Sequence, residues 1–219
     1  MSSDEGIPLD TKAQETEFGE FAALFWTLRE DINQIYPSQP SENPKRVSYP
    51  SPVYLQPAQR RNLVRAVFAF TEGNAYFLRQ MILRAGVGKL PTSTLFALSE
   101  LQIDVTAGGI ARTKTLRLSA LSMLRLTVNS FAQLYTELED LGCRGPGFEA
   151  LVRSTGVRDR LMHPKSIHAL TVTDTEISDL VTGFLWFEDV MREMSSAATN
   201  ALRQELRDDF GLEVDIQFT

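Results

Sequence analysis

Long runs in which apolar residues recur every three or four positions, each closed by proline or glycine, restrict what this chain can become. From Leu121 the rhythm continues through Leu124, Val128, Phe131, Tyr135 and Leu138. That spacing gathers the side chains on one side of an α-helix and would scatter them over both faces of a strand. A second stretch places Leu63, Val67, Phe70, Phe77, Met81 and Leu83 in one amphipathic pattern. It predicts a helix over 58–85, with Arg60, Arg61, Arg65 and Arg79 available to solvent. A third begins at Thr173 and Glu176, a capping-box pair, and continues with Leu180, Phe184, Phe187, Met191, Met194, Ala198 and Ala201, predicting the last long helix. Its methionines and aromatics read as core packing rather than as a cofactor contact.

The breakers divide the remainder. Residues 17–36 carry Phe18, Phe21, Phe25, Leu28, Ile32 and Ile35 at helical spacing and then meet Pro37 and Pro40, so a first, accessory helix is expected there. The segment 36–57 is crowded with prolines and reads as an ordered loop or linker. Gly86, Gly88 and Pro91 stop the long helix. Thr92 or Ser93 then caps a shorter one covering Leu95, Phe96, Leu98 and Leu101, before Gly108 and Gly109 break the chain again. A loop from Gly142 to Gly147 precedes a helix over Phe148 to Met162, limited by Pro164. The tail from Val214 to Phe218 alternates apolar and polar residues, as an extended, docked segment would. No repeat recurs and no strands alternate with helices. The expectation is an all-α antiparallel helical bundle over 58–219, with an accessory N-terminal helix and proline-rich linker over 1–57 and a short extended C-terminal tail.

Composition narrows the chemistry. The single cysteine, Cys143, allows no intramolecular disulfide and leaves a cysteine zinc site without partners in this chain. The start is acidic and polar (Ser2, Ser3, Asp4, Glu5), without the basic and apolar regions of a secretory signal, and no apolar run approaches a membrane span. A cytoplasmic protein with no membrane partner is expected. The net charge of -6 hides an asymmetry: residues 36–170 hold 17 bases against 9 acids, whereas 171–219 hold 3 bases against 11 acids. A basic middle can meet phosphates or pair with the acidic ends, and a count of charges does not separate the two.

Few motifs remain. Gly86-Val87-Gly88-Lys89 imitates the end of a phosphate loop, but Leu83 and Leu90 occupy the positions where a glycine and a hydroxyl residue belong. The glycines are better explained as a helix terminator. With only His163 and His168 available and no nucleophile elbow, a hydrolase triad has no support. Their spacing of five also lacks the i, i+4 geometry of a helical metal pair, so neither metal nor cofactor is expected.

What stands out is Arg158-Asp159-Arg160-Leu161-Met162-His163-Pro164-Lys165. Arginine grips a phosphate through a fixed fork of donors, and histidine moves protons readily near neutral pH. Together they suit RNA cleavage, where the 2'-hydroxyl is a built-in nucleophile. The enzyme then supplies only a base, an acid and positive charge on the phosphorane. Arg158 and His163 lie about 140° apart around an ideal helix. Pro164 disfavours helical backbone at His163, so the imidazole is expected at a frayed helix end.

The chain here resembles the HEPN superfamily, whose ribonuclease members carry an arginine, usually a polar residue, several more residues and then a histidine. Arg158, Asp159 and His163 fit that pattern, the continuation Pro164-Lys165 is similar to many members, and the resemblance covers roughly residues 58–205. It implies a homodimer or heterodimer whose two motifs line one cleft. It also implies metal-independent endoribonuclease activity, often within toxin-antitoxin or antiphage systems, with an antitoxin or regulatory protein as partner. Under it, Arg158 binds the scissile phosphate, His163 transfers protons, Asp159 orients them and Lys165 adds attraction. Glu72 and Asn74, which interrupt the apolar stripe of the long helix, are supporting candidates, because a polar position on the first bundle helix is common near HEPN clefts. His168, among apolar neighbours, is expected to pack or bond to backbone and serves as a control.

Two other readings stay open. One is a non-catalytic HEPN-like dimer module that binds RNA or protein; the other is a purely structural dimer in which the arginine and aspartate form surface ion pairs and His163 compensates a helix end.

Overall fold

The computed structural model describes residues 11–40, 47–135 and 143–210. In chain order it contains α1 (Thr11–Ile35), β1 (Gln39–Pro40), β2 (Val47–Ser48), α2 (Pro57–Ala85), α3 (Thr92–Leu98), β3 (Leu101–Val105), β4 (Ala111–Thr115), α4 (Ala120–Leu134), α5 (Pro146–Met162) and α6 (Asp174–Phe210). Two 3-10 turns, Pro52–Tyr54 and Ile167–Leu170, precede α2 and α6. Among the described residues the fold is helical apart from two small antiparallel hairpins. None of the described helices is long and apolar enough to cross a membrane.

Local chemistry sets the helix ends. Pro57 occupies the first turn of α2, where a missing N–H costs nothing, and Gln59 accepts from the Gln56 N–H at 2.9 Å. Gly86 closes the helix, its N–H donating to the Ile82 carbonyl at 2.8 Å. At α6 the capping box read from sequence is present: the Thr173 N–H donates to Glu176 at 2.8 Å and the Glu176 N–H to the Thr173 hydroxyl at 3.3 Å.

Among the described residues the core forms one cluster in which Phe70 of α2, Phe131 of α4, Phe148 of α5, and Phe184 and Phe187 of α6 are all buried. Phe70 meets Phe184 and Phe187 edge-on, with centroids 5.3 and 5.9 Å away. The helix α1, expected as an accessory, adds Phe21 and Ile32 to this cluster. It also carries Arg29, whose Nε lies 2.5 Å from Glu188 of α6 with both side chains largely buried. The segment after α1 packs too: Tyr49 stacks on Tyr36 at 5.1 Å, and burial pushes its hydroxyl up to about 12.

α5 and α6 come into close contact at glycine. A Cβ added to Gly183 would fall 2.8 Å from the Leu151 backbone, and one on Gly147 would fall 2.5 Å from Trp186 Cβ. Glycine thus permits backbone contact that any side chain would force apart.

One segment departs from the expected helices. Leu101 does not end α3 but opens β3, and Gly108 and Gly109 lie in the turn of a hairpin rather than merely breaking a helix. Glu100 takes a left-handed φ of 56°, which ends the helical path, and Leu101, Ile103 and Val105 then alternate with polar residues as a strand requires. The tail at 214–218 and the expected helical position Leu138 lie outside the described residues.

Candidate functional site

Arg158 projects from α5 into a cleft of about 370 Å³ between α2, α4 and α5. Its guanidinium lies 2.6 Å from Glu72, 3.3 Å from the adjacent Asp159 and 5.6 Å from the ring centroid of Phe68. Phe68, Thr71, Glu72, Tyr76 and Arg79 line the α2 wall at helical spacing, while Leu121 and Leu124 of α4 supply apolar surface opposite. Arg79 sits 5.2 Å over the Tyr76 ring and 3.4 Å from Glu100, itself on the rim. The arrangement joins two guanidinium groups, an exposed phenol ring and an apolar floor. Such a surface can take a flat ring together with an anion, provided that anion competes with Glu72 for Arg158.

His163 is placed differently. It caps the C-terminus of α5 at φ -130° and ψ 61°, with its N–H donating to the Asp159 carbonyl at 3.0 Å. Its exposed imidazole makes no hydrogen bond or ion pair with any described residue, and it does not line the cleft. The backbone therefore leaves the helix one residue before Pro164, as the proline demands. Lys165 is likewise exposed. Within one chain, Asp159 is in contact with Arg158 through its carboxylate and with His163 through its carbonyl, but Arg158 and His163 are not brought together.

Of the two supporting candidates on α2, Glu72 reaches the cleft and Asn74 does not. Two residues along a helix turn by about 200°, so Asn74 faces the core. It is fully buried there, donating to the Phe70 carbonyl at 2.7 Å.

Three arginines expected on the surface, or left without a role, hold the fold. Arg60 donates to the Leu55, Pro52 and Val172 carbonyls and pairs with Asp174 at 2.5 Å. It is a clasp rather than a solvated charge. Arg79 is mostly covered by Tyr76 and Glu100. Arg160, at the centre of the motif, forks onto Glu176 at 2.7 and 2.9 Å and also donates to the Ala169 and Thr171 carbonyls. That fork holds the Glu176 carboxyl below its usual range, and the hydrogen bonds from Arg153 do the same for Asp179. The basic middle thus spends Arg60, Arg153 and Arg160 on acids of α6.

His168 is exposed in the 3-10 turn; among the described residues only its carbonyl bonds, to the Thr171 N–H, so the expected packing of its ring is not found there. Sequence reading also missed Tyr76 and Arg79 as cleft residues. The signal was there, because Phe68, Glu72, Tyr76 and Arg79 fall at steps of four, four and three on a second face of α2. Among the described residues no three of His, Cys, Asp and Glu cluster as a metal site would. In comparisons with known proteins, no family model, no curated protein and no solved structure matched the chain.

Proposed function

We propose that this chain is a metal-independent endoribonuclease of HEPN type, active as a homodimer in which two motifs share one cleft. The observation that carries the reading is that one helix holds an arginine on a cleft wall and ends in an exposed histidine that no described residue engages. Arg158 neutralises the scissile phosphate. One imidazole takes the 2'-hydroxyl proton as oxygen attacks phosphorus, and a protonated imidazole delivers a proton to the departing 5'-oxygen. The products are a 2',3'-cyclic phosphate and a 5'-hydroxyl. A single histidine cannot be neutral and protonated in one step, so a second copy supplies the partner. Met162 and Ile167, 56% and 75% exposed on either side of His163, offer the apolar contact for that copy. A role in toxin-antitoxin or antiphage defence, with an antitoxin or regulatory protein restraining the dimer, belongs to the same reading.

The test is incubation of purified, folded protein with varied RNAs in EDTA, followed by analysis of the ends. Cyclic phosphate ends from a dimer are expected; intact RNA across many substrates with a folded dimer contradicts the reading. One observation favours a second reading, a non-catalytic module that binds RNA or protein: Glu72 already neutralises Arg158 within the chain. Salt-dependent RNA binding without cleavage would mark that outcome.

A further inference from the structure

The strands of the β3–β4 ribbon line neither the Arg158 cleft nor the seam between α5 and α6. Its register pairs Leu101 with Thr115, Ile103 with Thr113 and Val105 with Ala111, which puts these six on one face. Gln102, Asp104, Arg112 and Lys114 share the other. Every residue of β4 is exposed, and Ile103 and Val105 remain 62% and 64% exposed. A two-stranded hairpin is marginal in water unless something packs on it. Its base, by contrast, is fixed: the Leu116 N–H donates to the Glu100 carbonyl at 2.7 Å, and Glu100 is held by Arg79. Glu100 and Leu118, at the two feet of the ribbon, both line the Arg158 cleft.

Charge indicates the occupant. The segment 101–119 carries Arg112, Lys114 and Arg117 against one acid, Asp104. Arg112 touches Asp104 loosely at 3.4 Å, while Lys114 and Arg117 are exposed and make no hydrogen bond or ion pair with any described residue. A second ribbon would bring the same excess of positive charge and be repelled. A polyanion would be attracted, and the feet of the ribbon, Glu100 and Leu118, already belong to the cleft.

We infer that the ribbon is a docking surface for single-stranded RNA, feeding the strand toward the Arg158 cleft. This inference rests on the ribonuclease reading for its direction but not for the binding itself. Phosphates lie along Arg112 and Lys114 on the charged face of the ribbon and meet Arg117, two residues beyond β4, as the electrostatic tracking of a single strand requires.

The experiment uses the full chain, a long labelled single-stranded RNA and a dinucleotide substrate too short to reach the ribbon. The double variant Lys114→Glu with Arg117→Glu alters two exposed side chains, and Lys89→Glu, an exposed base between α2 and α3, controls for a charge reversal elsewhere on the surface. The inference expects the double variant to weaken long-RNA binding about tenfold or more and to flatten the log–log salt dependence by roughly one to one and a half. Lys89→Glu and dinucleotide cleavage are expected to hold. Unchanged long-RNA binding in the double variant, alongside a wild type that cleaves, overturns the ribbon and leaves the ribonuclease standing. RNA bound but never cleaved, with binding lost in the double variant, sinks the ribonuclease and supports the ribbon. Loss of the dimer with RNA binding intact makes the ribbon a protein interface and overturns the inference.

Discussion

The seam between α5 and α6 and the cleft between α2, α4 and α5 share one helix, yet α5 shows them opposite kinds of surface. Toward α6 its arginines are consumed: Arg153 grips Asp179, and Arg160 satisfies one carboxylate and two carbonyls. Gly183 lets the two backbones touch. Toward the cleft, Arg158 has one acid across from it, an aromatic ring beneath it and open space in front. Two residues separate a structural arginine from a candidate functional one, and the difference is how many acceptors the neighbouring elements bring. A residue type therefore says little until the partner helix is known.

That contrast can be broken experimentally, and the largest effect on stability is expected at the buried pair joining α1 to α6. Arg29→Ala leaves Glu188 buried without its counter-ion and should cost about 3–5 kcal/mol by chemical denaturation at neutral pH. Burial holds the Glu188 carboxyl above its usual range despite Arg29. A raised folded-state value means that the proton favours folding, so the deficit should shrink as pH falls and Glu188 becomes neutral. A deficit that stays constant as pH falls would show that the charge on Glu188 plays no part in it.

Next in size, Gly183→Ala should lower stability by roughly 1–3 kcal/mol, because its Cβ must displace the Leu151 backbone. Arg160→Ala should cost about 1–3 kcal/mol, discounted for the partial exposure of its partner. Its pH signature is opposite to that of Glu188. Glu176 and Asp179 are held below the usual carboxylate range, so their stabilisation is complete above that range and is lost as pH falls through their folded-state values. Wild type should lose stability on acidification that Arg160→Ala has in part already lost. By comparison, Arg158→Ala should change stability by less than about 1 kcal/mol, since an exposed pair contributes little. A loss as large as that of Arg160→Ala would place Arg158 among the structural arginines.

The helices were legible because each repeats its apolar rhythm over several turns and ends in a residue that cannot continue. The Thr173–Glu176 box fixed the start of α6 to the residue. The hairpin was hidden by ambiguity: Leu101 lies three residues after Leu98, so it extends a helical stripe as readily as it opens an alternating strand. Glu72 was visible as an interruption of a stripe. Tyr76 and Arg79 each look like ordinary surface residues, and only folding brings them beside Glu100 and Arg158. The clasp made by Arg60 was unreadable for the same reason, since its acceptors are backbone carbonyls from two separate loops.

His163 carries the proposed proton transfer, and the second histidine of the chain supplies the comparison. Both are exposed near the end of α5, and only His163 belongs to the motif. The measurement is the rate of RNA cleavage in EDTA by His163→Ala and His168→Ala, each confirmed folded and dimeric. Loss of general acid–base catalysis should slow His163→Ala roughly a hundred- to ten-thousand-fold, with His168→Ala at the wild-type rate. Equal rates in the two variants would contradict the account.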